Sequence, residues 1–383
     1  MSQTTVLFAG GGTGGHIFPG VAIAEHLVGD GVNARSICSQ RPGDAAMLAA
    51  LGTPFVAIPA QPFGLRPRTL LRFMRHWGTC VRTVRGLIQE HRRNGPVVMV
   101  ALGGFVAAPA AQAARAERCP ILLVNLDAVP GRANRWIARF ATRTVTAAQV
   151  PGLTWEYIQP IVRASAKAPG DAASCRVRLG LDPDRPTLMI TGASLGARTI
   201  NEFMMAFVNS RAAVLRDGRW QIFHQTGQGG DAAVRAAYEA ASIKAVVVPF
   251  SDAMGAAWGA ADCAVSRCGA GSVAEAWCNQ VPTLFLPYPH HKDQHQRLNA
   301  LPLVERHAAM LGTDEVDPQR TLSNAGPMLL QLLTDASVRT AVRNRLVELG
   351  TPSGASTAAS AILTLARSAS VFGGGLGSRS ATG

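Results

Sequence analysis

The sequence predicts an α/β protein made of two doubly wound parallel-sheet domains of the Rossmann type. Short apolar runs alternate with helical patterns along most of the chain, which is typical of βαβ units. The alternation stops at a stretch containing Pro and Gly, residues 159–174, and then restarts. Each half opens with an apolar strand that runs into a glycine turn, where open α/β sheets bind ligands. At 383 residues and 48% hydrophobic content, the chain can build two cores.

The first half is expected to contain six strands separated by helices. The first strand, residues 6–9, leads into a glycine loop and a helix that runs to about residue 28. A basic amphipathic helix is expected over 66–93, and an alanine-rich helix ends near residue 116. The remaining strands are predicted at 34–38, 55–58, 97–102, 120–124 and 144–146, with a helix near 43–51 after the second strand.

The second half repeats this plan. Its first strand, residues 187–191, runs into a second glycine turn at 192–198, and a helix follows from about residue 201. Further strands are predicted at 221–225, 245–248, 263–266 and 283–286. We therefore expect domains at 1–162 and 163–367, with a last helix that could pack back on the first domain. The Gly- and Ser-rich tail, 368–383, is expected to be disordered.

Composition narrows the possible functions. The seven cysteines are scattered and none forms a CxxC pair, so neither a zinc site nor a disulfide framework is indicated, and a reducing cytoplasm is expected. The chain has no run of 18 apolar residues and does not start like a signal peptide. The net charge of +13 suits either an Arg-rich proteome or an anionic partner.

The distribution of charge favours an anionic surface as the partner. Between residues 66 and 93 there are eight arginines and one acid, Glu90, interleaved with apolar residues at helical spacing. Such a helix is typical of proteins that lie on anionic lipid headgroups. A nucleic-acid surface could look similar, but the chain carries no recognisable nucleic-acid module, so the membrane is preferred and nucleic acid is not expected.

The loop after the first strand reads GGGTGGHIFPG over residues 10–20. Its glycines expose backbone, and the helix that follows presents N–H groups suited to phosphate. The loop also fits the dinucleotide fingerprint, but residues 34–41 lack the acid that would bind a ribose, so a nicotinamide cofactor is disfavoured. His16 stands at the mouth of the turn and is the first candidate for chemistry.

Three features of the second half indicate a nucleoside diphosphate. The turns at 192–196 and 266–272 both join a strand to a helix and carry serines that can donate to phosphate. Glu275 follows one turn later, where a carboxylate can accept from ribose hydroxyls. The polar stretch 287–296 follows the next strand and could bind a sugar. Its histidines could instead hold a metal, but their spacing matches no ligand motif, so no metal is expected.

Taken together these motifs resemble the MurG family, glycosyltransferase family 28. The resemblance is carried by five motifs in family order, between residue 6 and about residue 300. They are GGGTGGHIFPG at 10–20, GGF at 103–105 with Pro109, GASLGAR at 192–198 with Asn201, SRCGA at 266–270 with Glu275, and HKD at 291–293 with Gln296, Asn299 and Ala300.

The resemblance implies a GT-B fold, with two Rossmann-like domains facing a central cleft. It implies an inverting transfer of N-acetylglucosamine from UDP-GlcNAc to the lipid-linked muramyl pentapeptide, and so a role in cell-wall synthesis. UDP-GlcNAc would be a co-substrate, with no cofactor, and His16 the catalytic base. It further implies a peripheral protein on the cytoplasmic face of the inner membrane that could contact other wall enzymes.

The resemblance also assigns binding residues. The acceptor pyrophosphate would lie on the glycine loops, at Gly11, Gly12, Thr13, Gly14, Gly103 and Gly104. The donor would contact Thr13, Gly14, Gly15, Asp127, Arg163, Ser194, Asn201, Ala270, Ser272, Glu275, His291, His295 and Gln296. Ser194, Ser272 and Arg163 would bind the diphosphate and Glu275 the ribose.

The chain departs from the family pattern around the sugar. Asp127 stands where the family has asparagine, Leu195 replaces a glutamine, and His295 replaces the first residue of a Gln-Gln pair. Use of a uridine diphosphate sugar is therefore better supported than the exact sugar or acceptor. A related lipid or natural-product glycosyltransferase is the first alternative. A non-catalytic paralogue that binds UDP-sugar or lipid is the second.

Overall fold

A computed structural model describes residues 3–64, 67–150, 152–192, 198–291 and 293–374, with side chains to residue 370. Through residue 163 the elements alternate as expected. The strands are β1 (Thr5–Ala9), β2 (Asn33–Ser39), β3 (Phe55–Ile58), β4 (Val97–Ala101), β5 (Ile121–Asn125), β6 (Arg143–Thr146) and β7 (Glu156–Tyr157). The helices are α1 (Gly14–Glu25), α2 (Pro42–Ala50), α3 (Pro67–Arg92), α4 (Gly104–Ala116) and α5 (Arg132–Ile137).

From residue 164 the same alternation returns after one turn of 3₁₀ helix. The strands are β8 (Thr187–Thr191), β9 (Gln221–Gln225), β10 (Ala245–Val248), β11 (Cys263–Ser266), β12 (Thr283–Phe285) and β13 (Met310–Leu311). The helices are α6 (Ala172–Arg178), α7 (Arg198–Asp217), α8 (Asp231–Ala240), α9 (Met254–Ala260), α10 (Ala270–Cys278), α11 (His295–Val304), α12 (Pro318–Thr334) and α13 (Ala336–Glu348). The last helix is α14 (Gly354–Gly374).

Both sheets are parallel throughout, and both have the doubly wound strand order. The first runs β3-β2-β1-β4-β5-β6-β7 and the second β10-β9-β8-β11-β12-β13. In each sheet the order reverses between the first and fourth strands, and the crevice at that reversal is where such folds bind ligands. The prediction of two Rossmann-like parallel-sheet domains is confirmed.

The chain divides into two compact units, each made of more than one segment of the sequence. The first unit comprises residues 1–126, 130–163 and 353–383, and the second comprises 127–129 and 164–352. Arg163 therefore belongs to the first unit and Asp127 to the second. The segment 127–129 is attached to the second unit by Asn299 of α11, whose Oδ1 accepts from Ala128 N at 2.8 Å.

Helix α14 closes one face of the first sheet. Its small apolar side chains, among them Ala358 and Ile362, are fully buried against Val6 and Phe8 of β1 and Ile23 of α1. Strands β1, β4 and β5 are buried along their whole length, as expected for a parallel sheet covered on both faces. The second sheet has its own cores, which include Phe203, Phe207 and Trp258.

Candidate functional site

The first candidate site is the glycine loop at the carboxyl end of β1. Gly12 has φ +91°, a conformation that glycine adopts without strain, and its N–H donates to Asp44 Oδ2 at 2.8 Å. The same Asp44 oxygen accepts from the Ser39 hydroxyl at 2.6 Å, and Asp44 is only 4% exposed. Asp44 thus links the loop to the end of β2. Sequence reasoning missed it because the contact spans 32 residues.

The Gly12 N–H is already used, whereas the first turn of α1 offers further donors to an anion. The N–H groups of Gly14 and Gly15 begin that helix and have no intrahelical acceptor. The N-cap residue Thr13 and Gly15 are exposed, whereas Gly11 is buried. A Cβ at Gly11 would lie 2.7 Å from Asp44 Oδ2, so no larger residue fits there without movement. The loop therefore presents backbone rather than side chains to a ligand.

His16 lies over the second glycine turn, which joins β4 to α4. Gly103 and Gly104 have φ values of +100° and +72°. A Cβ at Gly103 would lie 3.2 Å from His16 Cδ2, and one at Gly104 would lie 3.3 Å from His16 Nδ1. His16 Nδ1 is 3.3 Å from Thr13 Oγ1. The structure thus brings together His16, Thr13 and both glycine turns, because β1 and β4 are neighbours in the sheet.

Asn134 of α5 is the fourth group at this turn. It is 7% exposed, and its Oδ1 would lie 3.0 Å from a Cβ at Gly103. Within the described residues this oxygen has no hydrogen-bond donor. Arg163, the remaining candidate in this unit, has its guanidinium 3.9 Å from the centre of the Phe18 ring, a cation–π contact.

The second candidate site is at the corresponding edge of the second sheet, where β8 and β11 are neighbours. Residues 193–197, including Ser194, lie outside the described residues. The turn after β11 leads into α10, whose N-cap is Gly269 and whose first residue is Ala270. Ser272 is 8% exposed in the first turn of this helix. Glu275, one turn further on, accepts from Trp258 Nε1 at 2.9 Å, which orients its carboxylate.

Arg267 anchors this turn from below. Its Nη1 lies 2.7 Å from Asp314 Oδ2, with side chains only 5% and 1% exposed. It also donates to the carbonyl oxygens of Leu286 and Pro287, at 2.9 and 3.1 Å. The Thr199 hydroxyl, at the start of α7, bonds both Arg267 and Asp314. One buried cation therefore connects the ends of β11 and β12 and the start of α7, three segments that border the turns.

Asn201 lies on the inner side of α7 and is 6% exposed. Its Nδ2 donates to Thr226 O, and its Oδ1 is 3.0 Å from His224 Nε2. His224 Nδ1 is in turn 2.7 Å from the Tyr238 hydroxyl. Complete burial lowers the pKa of His224 to about 3, so this histidine is neutral. The amide of Asn201 is therefore used in a buried network that supports the loop after β9.

The polar stretch after β12 forms an aromatic and imidazole cluster. The rings of His291 and His295 are 4.2 Å apart, and Tyr288 lies 4.6 Å from His291. Burial, followed by the charge of His295, lowers the pKa of His291. His295 Nδ1 is 2.8 Å from Asp293, and this hydrogen bond lowers the pKa of that carboxyl.

Gln296 and Asp127 complete the same region. Gln296 Oε1 accepts from the Tyr288 N–H at 2.9 Å and so holds the stretch against α11. Asp127 Oδ1 accepts from Asn299 Nδ2 at 2.9 Å. Asp127 is near enough to His291 to influence its titration. The second unit thus brings its described sugar-site candidates, Asp127, His291, His295 and Gln296, into one neighbourhood. Among the described residues, no group of three or more His, Cys, Asp or Glu side chains could hold a metal ion.

The basic segment forms one long helix, α3, with one buried face. Cys80, Val84, Ile88 and His91 are buried, four positions on one stripe of the helix. Toward its N-terminal end Leu71 and Met74 are 65% and 56% exposed. In the described part of the chain, no helix is long and apolar enough to span a membrane.

The arginines of α3 differ in what they contact. Arg85 forms an ion pair with Glu117 at 2.6 Å, and Arg92 donates to the Glu117 carbonyl, so both attach α3 to the end of α4. Arg72 and Arg75 are exposed beside Leu71 and Met74. The N-terminal half of α3 therefore presents cations and apolar side chains to the outside together.

Comparison with known proteins gives consistent matches over both units. Residues 6–146 match the glycosyltransferase family 28 N-terminal domain, and residues 187–337 match its C-terminal domain. Two relatives are named UDP-N-acetylglucosamine–N-acetylmuramyl-(pentapeptide) pyrophosphoryl-undecaprenol N-acetylglucosamine transferase. The Nocardioides sp. protein is 34% identical over 317 residues, 81% of this chain and 84% of its own. The Aeromonas hydrophila protein is 34% identical over 331 residues, 85% and 86% of the two chains.

Solved structures agree with these sequence matches. The crystal structure of Acinetobacter baumannii MurG superposes with a TM-score of 0.70 at 25% identity, covering 95% of this chain and all of that one. The calicheamicin glycosyltransferase CalG4 superposes with a TM-score of 0.66 at 15% identity, over 95% and 98% of the two chains. At that identity the second likeness shows the fold alone.

Proposed function

Because the chain belongs to glycosyltransferase family 28, we propose that it is the enzyme that transfers N-acetylglucosamine from UDP-GlcNAc to undecaprenyl-pyrophosphoryl-N-acetylmuramyl pentapeptide. The product is the disaccharide lipid precursor of peptidoglycan. The observation that carries the proposal is the 34% identity, over more than four fifths of both chains, to relatives named for this reaction. Both halves of the chain match the family, one its N-terminal domain and the other its C-terminal domain.

We assign the donor to the second unit. The first turn of α10 offers N–H groups that have no acceptor within the helix, the Ser272 hydroxyl and the positive end of a helix dipole, which together suit a diphosphate. Glu275, oriented by Trp258, would accept from the ribose hydroxyls. His291, His295, Gln296 and Asp127 would surround the sugar. This arrangement uses Arg267 and Asn201 as supports rather than as ligand contacts.

We assign the acceptor to the first unit. The N–H groups of Gly14 and Gly15 would take the pyrophosphate, and His16 would face the sugar that follows it. Imidazole is the side chain that most often accepts protons near neutral pH, which suits a general base. The family resemblance also assigns Thr13, Gly14, Gly15 and Arg163 to the donor, and these assignments remain predictions.

The proposed step is an inverting displacement. The C4 hydroxyl oxygen of the muramyl sugar attacks C1 of the donor sugar, and a new C1–O bond forms. The bond between C1 and the phosphate oxygen breaks, and its electron pair leaves with UDP. The hydroxyl proton passes to His16. Developing charge on the leaving diphosphate is stabilised by the donors at the start of α10, so the scheme needs no metal ion.

We further propose that the protein binds the cytoplasmic face of the inner membrane through the N-terminal half of α3. Exposed Leu71 and Met74 can enter the headgroup region, while Arg72 and Arg75 meet anionic lipid. An undecaprenyl acceptor stays anchored in the bilayer, so a surface-bound enzyme would meet its substrate there.

Turnover with defined acceptors tests the proposed function. UDP release is followed with a short-chain muramyl-pentapeptide pyrophosphoryl lipid, with and without EDTA. We expect release that requires this acceptor and persists in EDTA. Release only with a different lipid or a small-molecule acceptor would indicate a related glycosyltransferase. Tight UDP-GlcNAc binding without any release would indicate a non-catalytic binding protein. Loss of activity in EDTA, restored by Mg²⁺, would contradict the metal-free scheme.

A further inference from the structure

A chain of hydrogen bonds runs through the buried side chains behind His16, and it has a definite direction. Thr146 Oγ1 donates its single proton to Ala148 O at 2.6 Å. The hydroxyl oxygen must therefore act as an acceptor toward its other partners, which are Asn125 at 3.0 Å and the Ala148 N–H at 3.4 Å. This identifies the group of Asn125 that faces Thr146 as the Nδ2 donor.

The orientation of Asn125 then determines that of Asn134. With Nδ2 of Asn125 facing Thr146, its Oδ1 faces Asn134 and accepts from Asn134 Nδ2 at 3.0 Å. A flip of either amide would set two donors or two acceptors against each other, which is how amide orientations are assigned from a network. We call this chain of hydrogen bonds, from Thr146 through Asn125 to Asn134, the Asn134 relay. It ends at Asn134 Oδ1, an atom that can only accept a hydrogen bond.

This terminal oxygen is buried and lacks a donor within the described residues. Asn134 is 7% exposed. Its Oδ1 and the His16 ring both lie next to the Cα of Gly103, on the side where a Cβ would be. Specifically, a Cβ at Gly103 would be 3.0 Å from Asn134 Oδ1 and 3.3 Å from His16 Nε2. A buried carbonyl oxygen without a donor is costly, so a bound group that supplies one gains affinity.

We propose that Asn134 Oδ1 binds the acceptor sugar by accepting a hydrogen bond from a neutral O–H or N–H group. This rests on the proposed function. A phosphate oxygen is excluded as the partner, because it carries no proton to donate. The pyrophosphate would then lie at the N–H groups of Gly14 and Gly15, as assigned above, and the sugar would lie beside Asn134. The relay thus orients the acceptor in its site.

The attacking hydroxyl is not the partner of Asn134. That hydroxyl has one proton, and His16 takes it in the proposed step. Two groups of the muramyl sugar remain: the primary hydroxyl on C6, which is bonded to C5 next to C4, and the N-acetyl N–H. Both are neutral donors, and analogues of the acceptor distinguish them.

The test is a double-perturbation cycle on kcat/KM for the acceptor. Wild type and Asn134→Ala are each measured with the normal acceptor, a 6-deoxy acceptor and an acceptor whose acetamido group is replaced by acetoxy. We expect Asn134→Ala to lower kcat/KM about tenfold, as for loss of one neutral hydrogen bond, with the KM for UDP-GlcNAc unchanged. One of the two analogues should lower the kcat/KM of the wild type by a similar factor and leave the kcat/KM of Asn134→Ala unchanged.

Coupling to the 6-deoxy acceptor identifies the hydroxyl as donor, and coupling to the acetoxy acceptor identifies the N–H. The proposal is wrong if each analogue lowers kcat/KM by the same factor in the wild type and in the variant. It is also wrong if Asn134→Ala leaves kcat/KM for the normal acceptor unchanged. If Asn134→Ala does not fold, Thr146→Val is measured in its place. Without the Thr146 oxygen the amides of Asn125 and Asn134 are free to flip, so the same coupling to the analogue should appear but be weaker. If wild type uses no muramyl acceptor at all, the proposed function fails, and this inference fails with it.

Discussion

The buried ion pair between Arg267 and Asp314 gives a quantitative prediction about the stability of the second unit. We expect Asp314→Asn to remove the charge while keeping the size of the side chain. An amide oxygen can still accept from Val316 N, which bonds Asp314 Oδ1 at 2.8 Å. What is lost is the negative partner of a guanidinium whose side chain is 5% exposed. Arg267 then remains buried as an uncompensated charge.

The size of the effect follows from burial. Breaking a buried ion pair on one side typically costs about 3–5 kcal/mol, because the remaining charge has lost both water and its partner. An exposed pair contributes only about 0–1 kcal/mol. The chain offers a matched control in Arg345 and Glu348, which are 2.8 Å apart but 54% and 60% exposed. The two pairs have nearly equal separations, 2.7 and 2.8 Å, and differ mainly in burial.

Guanidinium unfolding of wild type, Asp314→Asn and Glu348→Gln measures the two costs by linear extrapolation. We expect a loss of about 3–5 kcal/mol for Asp314→Asn and below about 1 kcal/mol for Glu348→Gln. Equal losses for the two variants would refute the reasoning. A large loss from Asp314→Asn should also raise the KM for UDP-GlcNAc, since Arg267 connects the strand ends that border the donor turns.

Three further predictions concern the base, the buried histidine and the membrane surface. His16→Ala should lower kcat by about 10²–10⁴-fold with little change in UDP-GlcNAc affinity, measured by steady-state kinetics and calorimetry; an unchanged rate would remove His16 from the mechanism. The pKa of His224 is about 3 when folded and 6.5 in its ordinary state, so stability should fall as pH drops below 6.5. By pH 5 the loss is about 2 kcal/mol, since the unfolded chain binds a proton that the folded chain does not. Urea unfolding at pH 7 and pH 5 measures this change in the free energy of unfolding. The change should be smaller in His224→Gln than in wild type, and the exposed control His26→Gln should behave like wild type. Replacing Arg72 and Arg75 with Glu should weaken binding to anionic vesicles by at least about 30-fold, and unchanged sedimentation with vesicles would place the membrane contact elsewhere.

Much of the fold could be predicted because its signals are local. The predicted strands at 187–191, 221–225, 245–248 and 263–266 match the observed ones residue for residue. Each of these strands is a short segment with an apolar centre bounded by turns, and both properties are visible in a short window of sequence. The two short edge strands, β7 and β13, were not predicted, because a strand of two residues is too short to show an apolar run or an alternating pattern.

The candidate site could be predicted only in part. The glycine turns and His16 are local motifs, and the structure brings them together at the junction of β1 and β4. Asp44, Arg267 with Asp314, and the Asn134 relay could not be predicted. Each of these acts through a partner supplied by another segment, so neither side chain shows its role in its own neighbourhood of sequence.

The sequence by itself determined the alternation of the central strands with helices, the position of each glycine turn and the family of the enzyme. These depend on the apolar period, on residues that permit positive φ, and on motifs of a few adjacent positions. Only the tertiary structure decided that residues 127–129 belong to the second unit and that 353–374 belong to the first. It alone decided which buried polar atoms find partners and which, like Asn134 Oδ1, lack one among the described residues. The physical reason is that burial and hydrogen bonding depend on distances in space, and chain folding sets those distances between residues far apart in sequence.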